Sequence, residues 1–586
     1  MSSKNVEEIK AESRALRGNI QESLAADSSH FSEDEYQLLK FHGTYQQDDR
    51  DQRAARKAQN QDKAWMFMVR SKLPGGDLTA AQYLEHDKIA GELGNGTLRI
   101  TTRQGFQTHG VLKGDLKECI RRINESGVTT WGACGDVVRN TIAAAAPIAN
   151  PAHRDAQRLA KELSQAFLSR STAYADIWLN DEKLAVGTSS SSSENSRSSE
   201  TNSPEEPLYG KQYLPRKFKI AIAIPPRNDV DVYANDLGFI AQVEAGEVKG
   251  YTVVVGGGFG MTHGKQDTYP VLAKPLGYVG RDQVIPSAVA VVTVQRDFGN
   301  RTDRKRARLK YLIDEKGIEW FRQEVQARLP FALQAPKEIR WDTVSDILGW
   351  HQQGDGKLFC GLWIQEGRIQ DAEGVHTRSA FAKIAQEFGF PVRLTTNCNL
   401  IFYNIDPAQK PAVDKILVEH GVQRPEDLTP VRQLAQACVA LPTCGQALAE
   451  SERVFPGVLD KIEAILADLG LSEEPILIRM TGCPNGCARP YNADISFVGR
   501  APGKYALYVG GSITGERLVG LQQKSVALVE LPDRVRELLE EFVRDRYQGE
   551  IFSDYWGRTH VNGPRPKPEQ FHIEAPPAGE LVAAGE

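Results

Sequence analysis

The chain has 586 residues, 41% of them hydrophobic and 25% charged, the composition of a globular protein with several domains. Its 71 basic and 76 acidic residues leave a net charge of −5, which gives no case for a nucleic-acid partner or a membrane surface. No apolar run approaches the roughly 18 residues of a membrane span, and eight cysteines are too few for a disulfide scaffold.

Residues 1–62 are highly charged, with a helical tendency and few apolar anchors, and are expected to form an arm packed on a partner or on the rest of the chain. The opening residues, MSSKNVEE, carry no apolar signal core, so the expected compartment is the cytoplasm. Arg70 precedes LPGG at 73–76, Arg99, Arg103 and His109 lie in one block at 98–111, and Arg139 ends GDVVR at 135–139. A Ser-rich tract at 187–207 cannot bury apolar surface and is expected to be a mobile loop. Residues 216–219 read RKFK. If they are extended, Lys217 and Lys219 share one face. Residues 220–224 and 253–255 read as strands, and 458–469 and 531–547 as amphipathic helices. The Gly-rich stretch 256–261 fails the dinucleotide pattern at Met261. The dense basic tract 301–310, RTDRKRARLK, suits a nucleic-acid patch, which the net charge argues against, a docking face or, better, a solvated helix face. The Pro/Ala/Gly-rich tail, 574–586, is expected to be disordered.

The chain repeats itself. Residues 98–111 (LRITTRQGFQTHGV) resemble 392–405 (VRLTTNCNLIFYNI), 233–240 (YANDLGFI) resemble 491–498 (YNADISFV), and 250–257 resemble 504–511. The three pairs keep the same order, so the expected molecule is α+β with a pseudo-two-fold axis and one large site between the copies.

Two constellations carry chemistry. Cys438 and Cys444, with five residues between them, and Cys483 and Cys487, with three between them, suit an iron–sulfur cluster or a tetrahedral zinc. Structural zinc prefers two-residue spacers, so the longer spacers favour the larger object. The turn PNG between the second pair aims backbone N–H groups at sulfur. The other cysteines, at 119, 134, 360 and 398, are scattered and read as small buried hydrophobes. Arg70, Arg99, Arg103, Arg139 and the RKFK segment would suit an oxyanion, which needs both charge partners and nearby acids.

With these motifs the chain resembles the siroheme-dependent sulfite and nitrite reductases, from HGTYQQDDR at 42–50 to about Tyr555. The resemblance implies split ferredoxin-like halves (63–130 and 345–425) and two larger α/β domains: a siroheme and substrate domain, 131–335, and a cluster and siroheme domain, 426–573. It implies that Cys438, Cys444, Cys483 and Cys487 bind a [4Fe-4S] cluster, with Cys487 shared with siroheme. It places Arg70, Arg139, Lys217 and Lys219 around the substrate, and Arg99, Arg103, His109, Arg216 and Asn485 against siroheme. The implied reaction is the six-electron reduction of sulfite to sulfide in sulfate assimilation. Electrons would come from an NADPH-dependent flavoprotein. WGACGD at 131–136 and GWHQQGDG at 349–356 look closer to ferredoxin-dependent relatives, which keeps ferredoxin as an alternative donor. Nitrite is the rival substrate on the same scaffold.

Overall fold

The computed structural model describes residues 4–179, 206–561 and 571–574. Apart from Glu206, Pro207 and Glu574, the Ser-rich tract and the tail lie outside these residues.

Four five-stranded sheets form two matched pairs. In the first pair, the block 98–111 gives the strands Leu98–Ile100 and Phe106–Val111, and its repeat gives Val392–Leu394 and Leu400–Ile405. Between each two strands the chain turns through a left-handed residue, Gln104 at φ 50° and Cys398 at φ 68°. The two sheets exchange their last strands. Asp77–Leu78 pairs with Val392–Leu394, while Arg368–Ile369 pairs with Leu98–Ile100. Each exchanged strand follows a turn with two left-handed residues, Gly75 and Gly76 in one copy, Glu366 and Gly367 in the other.

The second pair of sheets also matches strand for strand. Ile142–Ala143, Ile220–Ala223, Leu237–Glu244, Glu247–Val255 and Lys274–Gly280 run in the same order as Gln436–Ala437, Ile478–Thr481, Ile495–Ala501, Lys504–Val509 and Gly520–Ala527. In each, the first three strands are parallel and the rest antiparallel. Val, Ile and Tyr fill both faces, as buried strands require. The expected helices are present as Phe455–Asp468 and Leu531–Asp545. The first starts three residues earlier than its periodicity suggests, because Pro456 fits the first helical turn.

The N-terminal residues contradict the expectation of few apolar anchors. Ile9, Leu16, Ile20, Phe31, Leu38, Leu39 and Phe41 are buried in the main core of this chain. The strand Thr44–Asp48, inside the expected arm, is an edge strand of the first sheet. No helix among the described residues is long and apolar enough to cross a membrane.

Candidate functional site

The first sheet builds a cationic row from its register. Arg70 pairs with Gln107, Gln107 with Arg99, and Arg99 with Arg368, so these four side chains share one face. Two positions along the same strand, His109 joins that face, 3.2 Å from the Gln107 amide. Burial, then Arg368, Arg99 and Arg70, push His109 well below its ordinary pKa, so the ring is neutral. Its Nδ1 is buried without a partner. Arg99 and Arg368 are already engaged: both reach Glu452, and Arg99 also donates to the Ala437 carbonyl at 2.8 Å, beside Cys438. Arg103 is committed to the Asn140 and Ile220 carbonyls and to Asn235.

The RKFK segment does run extended. Phe218 is buried and bridges Val138 in parallel, while Lys217 and Lys219 flank it half-buried. Phe218 donates to the Val137 carbonyl at 3.0 Å and accepts from the Arg139 N–H at 2.9 Å, so Arg139 runs alongside both lysines. Neither ammonium group has a hydrogen-bond or ion-pair partner among the described residues, though each stands close to other cations. Burial, then Arg139, Arg216, Lys219 and Arg308, push Lys217 well below its ordinary pKa. Burial, then Arg103 and Arg308, bring Lys219 down to about 7. Two lysines without a hydrogen-bond or ion-pair partner, set among arginines, suit an anionic ligand. Arg70 donates to the Cys134 sulfur at 3.0 Å and lies 5.8 Å from the centre of the Tyr45 ring. Arg216 stands 3.7 Å from Asp136.

The four cysteines come together in the second copy. Cys483 is buried, Cys438 and Cys444 are half-buried, and Cys487 is exposed. Burial first, then neighbouring thiols, raise the pKa of Cys438, Cys444 and Cys483, the last to about 12. Metal ligation is what would keep such thiols deprotonated. Backbone N–H groups converge on the sulfurs: Gly482 on Cys438 at 3.3 Å, Gln446 and Ala447 on Cys444, and Asn485 on Cys483. Around a single zinc, four thiolates would stand about 3.8 Å apart. Among the described residues no group of three or more His, Cys, Asp or Glu side chains is placed to hold a single metal ion. The N–H donors at three of the sulfurs suit a cluster, whose potential such donors tune.

The two constellations meet at Cys487. Thr102, from the turn between the first copy's paired strands, donates to the Cys487 carbonyl at 3.3 Å. The Cys487 sulfur is also near enough to Lys219 to act on its charge. The Gly-rich stretch 256–261 supports this junction, since the Met261 N–H donates to the Pro484 carbonyl at 3.0 Å. Arg70, Arg139, Arg216, Lys217 and Lys219 thus gather on one side, and the cysteines and Asn485 on the other. The donor set suits a group bearing several carboxylates, because the cations are present and two are unpaired. Sequence reasoning missed Tyr45, Gln107 and Cys134. Tyr45 lay inside a matching motif, but nothing in its pattern marked a role.

Comparison with known proteins supplies the family. Residues 58–126 and 351–420 match the family model described as the nitrite/sulfite reductase ferredoxin-like half domain. Residues 168–333 match the nitrite and sulphite reductase 4Fe-4S domain. That second stretch contains no cysteine, so the match itself does not locate the cluster ligands. The "Sulfite reductase [NADPH] hemoprotein beta-component" of Chromohalobacter salexigens is 44% identical, over 97% of both chains. The protein of the same name from Acidithiobacillus ferrooxidans is 45% identical, over 96% of this chain and 97% of its own. The solved NirA protein of Mycobacterium tuberculosis superposes with a TM-score of 0.75 at 22% identity, over 97% of both chains.

Proposed function

The chain belongs to the sulfite reductase hemoprotein family, and from that premise we propose roles for its residues in reducing sulfite to sulfide. The reaction takes six electrons, and its cofactors are siroheme and a [4Fe-4S] cluster. Cys438, Cys444, Cys483 and Cys487 would hold the cluster, with the exposed Cys487 shared with siroheme. Arg99, Arg103, His109, Arg216 and Asn485 would face the tetrapyrrole or its carboxylates. When bound, the paired cofactors supply electrons to the substrate one at a time.

The protein's own part is binding and proton supply. Sulfite carries two negative charges when fully ionised, and Arg70, Arg139, Lys217 and Lys219 offer cations to its oxygens. Three oxygens leave as water, so protons must arrive repeatedly. Lys219, brought to about 7, is matched to giving up a proton near neutrality, and a bound anion would raise it again. The observation that carries this reading is the pair of unpartnered lysines, of which Lys219 lies near Cys487. A flavoprotein that draws on NADPH is the electron donor, and the cytoplasm is the compartment.

The test is sulfide production by cofactor-loaded Lys217→Met and Lys219→Met enzymes. Loss of a positioned acid predicts a fall in kcat of about 10²–10⁴-fold. Full turnover by both variants would remove the acid role. Supplying the parent in turn with an NADPH flavoprotein and with reduced ferredoxin identifies the donor.

A further inference from the structure

The basic tract 301–310 is not simply a solvated helix face. Several of its cations turn inward, to the back of the segment that carries the two lysines. Arg304 grips Asp136 with two prongs, at 2.7 and 3.1 Å. Arg308 grips Asp236 with Nε at 3.0 Å and Nη2 at 2.8 Å. The Lys310 ammonium donates to the carbonyls of Gly258 and Gly260, both at 3.0 Å, and of Tyr269.

Both aspartates are buried, and each pins one end of the lysine segment. At one end the Asp136 carbonyl accepts from the Leu214 N–H at 3.0 Å, and its carboxylate faces Arg216. Lys10, from the N-terminal helix Val6–Glu12, closes the same node. Its ammonium donates to the Leu214 carbonyl at 2.9 Å and stands 3.6 Å from Asp136. At the other end the Asp236 carboxylate accepts from the Lys219 backbone N–H at 2.9 Å. Residues 214–219 are therefore held between Asp136, through its backbone carbonyl and the approach of its carboxylate to Arg216, and the Asp236 carboxylate, and an arginine fork fixes each aspartate side chain.

We propose that Arg304 and Arg308 are positioning residues for the oxyanion site, acting through Asp136 and Asp236 to fix where Lys217 and Lys219 present their ammonium groups. The proposal rests on the assignment of those lysines to the substrate. An unpartnered lysine is aimed only by its backbone, and a misplacement of about 1 Å can cost about 10²-fold in rate. Arg308 also contributes to the positive surroundings of both lysines, so its removal changes the site's charge as well as its shape.

The test uses holoenzymes assayed with reduced methyl viologen, so that no protein donor is involved. Siroheme and iron contents are measured for each. Arg304→Met, loaded to the parental level, is expected to raise the KM for sulfite roughly tenfold with a smaller change in kcat. Arg304→Lys is expected to recover most of that loss. Lys305→Met, an exposed neighbour in the same tract, should match the parent. Arg308→Lys keeps the charge but loses the fork, and should show the same KM-weighted loss without leaving Asp236 unpaired. A parental KM in fully loaded Arg304→Met and Arg308→Lys overturns the proposal. So does an equal effect from Lys305→Met, which would reduce the tract to bulk charge. Lys217→Met and Lys219→Met run in parallel separate the two ideas. If they keep parental turnover, the substrate assignment fails. If they lose it while the arginine variants do not, only the positioning role fails.

Discussion

Asp229 is the residue at which burial decides a charge. Its carboxyl is fully enclosed, with Oδ2 accepting the Ala145 N–H at 3.1 Å and Oδ1 unpartnered. Burial and the nearby Asp346 carboxylate raise it to about 7, against small opposing contributions from the Ala145 N–H and Arg227. Asp346 is itself raised by burial, although Thr395, Asn397 and Asn399 donate to it. A carboxyl raised in the fold binds its proton there after the unfolded chain has released it. Between about pH 4 and 7 the folded state therefore holds more protons, and stability falls as pH rises through that window. Asp229→Asn keeps an acceptor for Ala145 and cannot ionise. Its thermal midpoint should gain on the parent's as pH rises from 5 to 8. A constant difference across that range would show that Asp229 does not titrate there.

At the scale of elements, the turns before the exchanged strands are the vulnerable points. Gly76 sits at φ +73°, and a Cβ there would strike the Leu394 carbonyl oxygen and meet Gln104 Cβ at 3.0 Å. Gly76→Ala is expected to cost about 1–3 kcal/mol in denaturant unfolding. Gly114→Ala, with open space and no positive φ, should stay within about 0.5 kcal/mol. Equal losses at both would mean that the exchange turn carries no strain. The repeat was legible because matching strings became matching strands: 98–111 and 392–405 align residue for residue in the structure. The exchange itself was not legible, since Asp77–Leu78 and Arg368–Ile369 are two residues long and carry no periodicity. That the four cysteines come together was legible from spacing, and the extended lysine segment from alternation. The tract 301–310 was misread because charge density in a sequence says nothing about direction. Its partners, Asp136 and Asp236, lie far away along the chain.

Across the whole molecule, the two copies share a scaffold and divide the chemistry. The Lys219 N–H donates to Asp236 at 2.9 Å, and 258 residues later the Leu477 N–H donates to Asp494 at 2.9 Å. By the same offset, Cys487 corresponds to Asp229 and Cys483 to Pro225. One copy thus carries the lysines and the other the thiols, and the proposed site draws on both. Its assembly depends on the axis, where equivalent residues meet. Asp231 and Arg489 are 258 residues apart, both are left-handed, at φ 48° and 57°, and they pair at 3.0 Å. Asp231 also takes Arg479 at 3.1 Å and Asn492 at 2.8 Å. Burial has already lowered Arg479 to about 10, so this guanidinium depends on its carboxylate. Asp231→Asn leaves two buried guanidinium groups with no countercharge from Asp231, an expected loss of about 3–5 kcal/mol. Siroheme content should fall with it, because the cofactor needs both copies in place. Adding Arg489→Gln removes one of the two cations and should restore part of the stability, giving a coupling energy in a double-mutant cycle. A loss below about 1 kcal/mol with full cofactor content would mean that the copies are held together elsewhere.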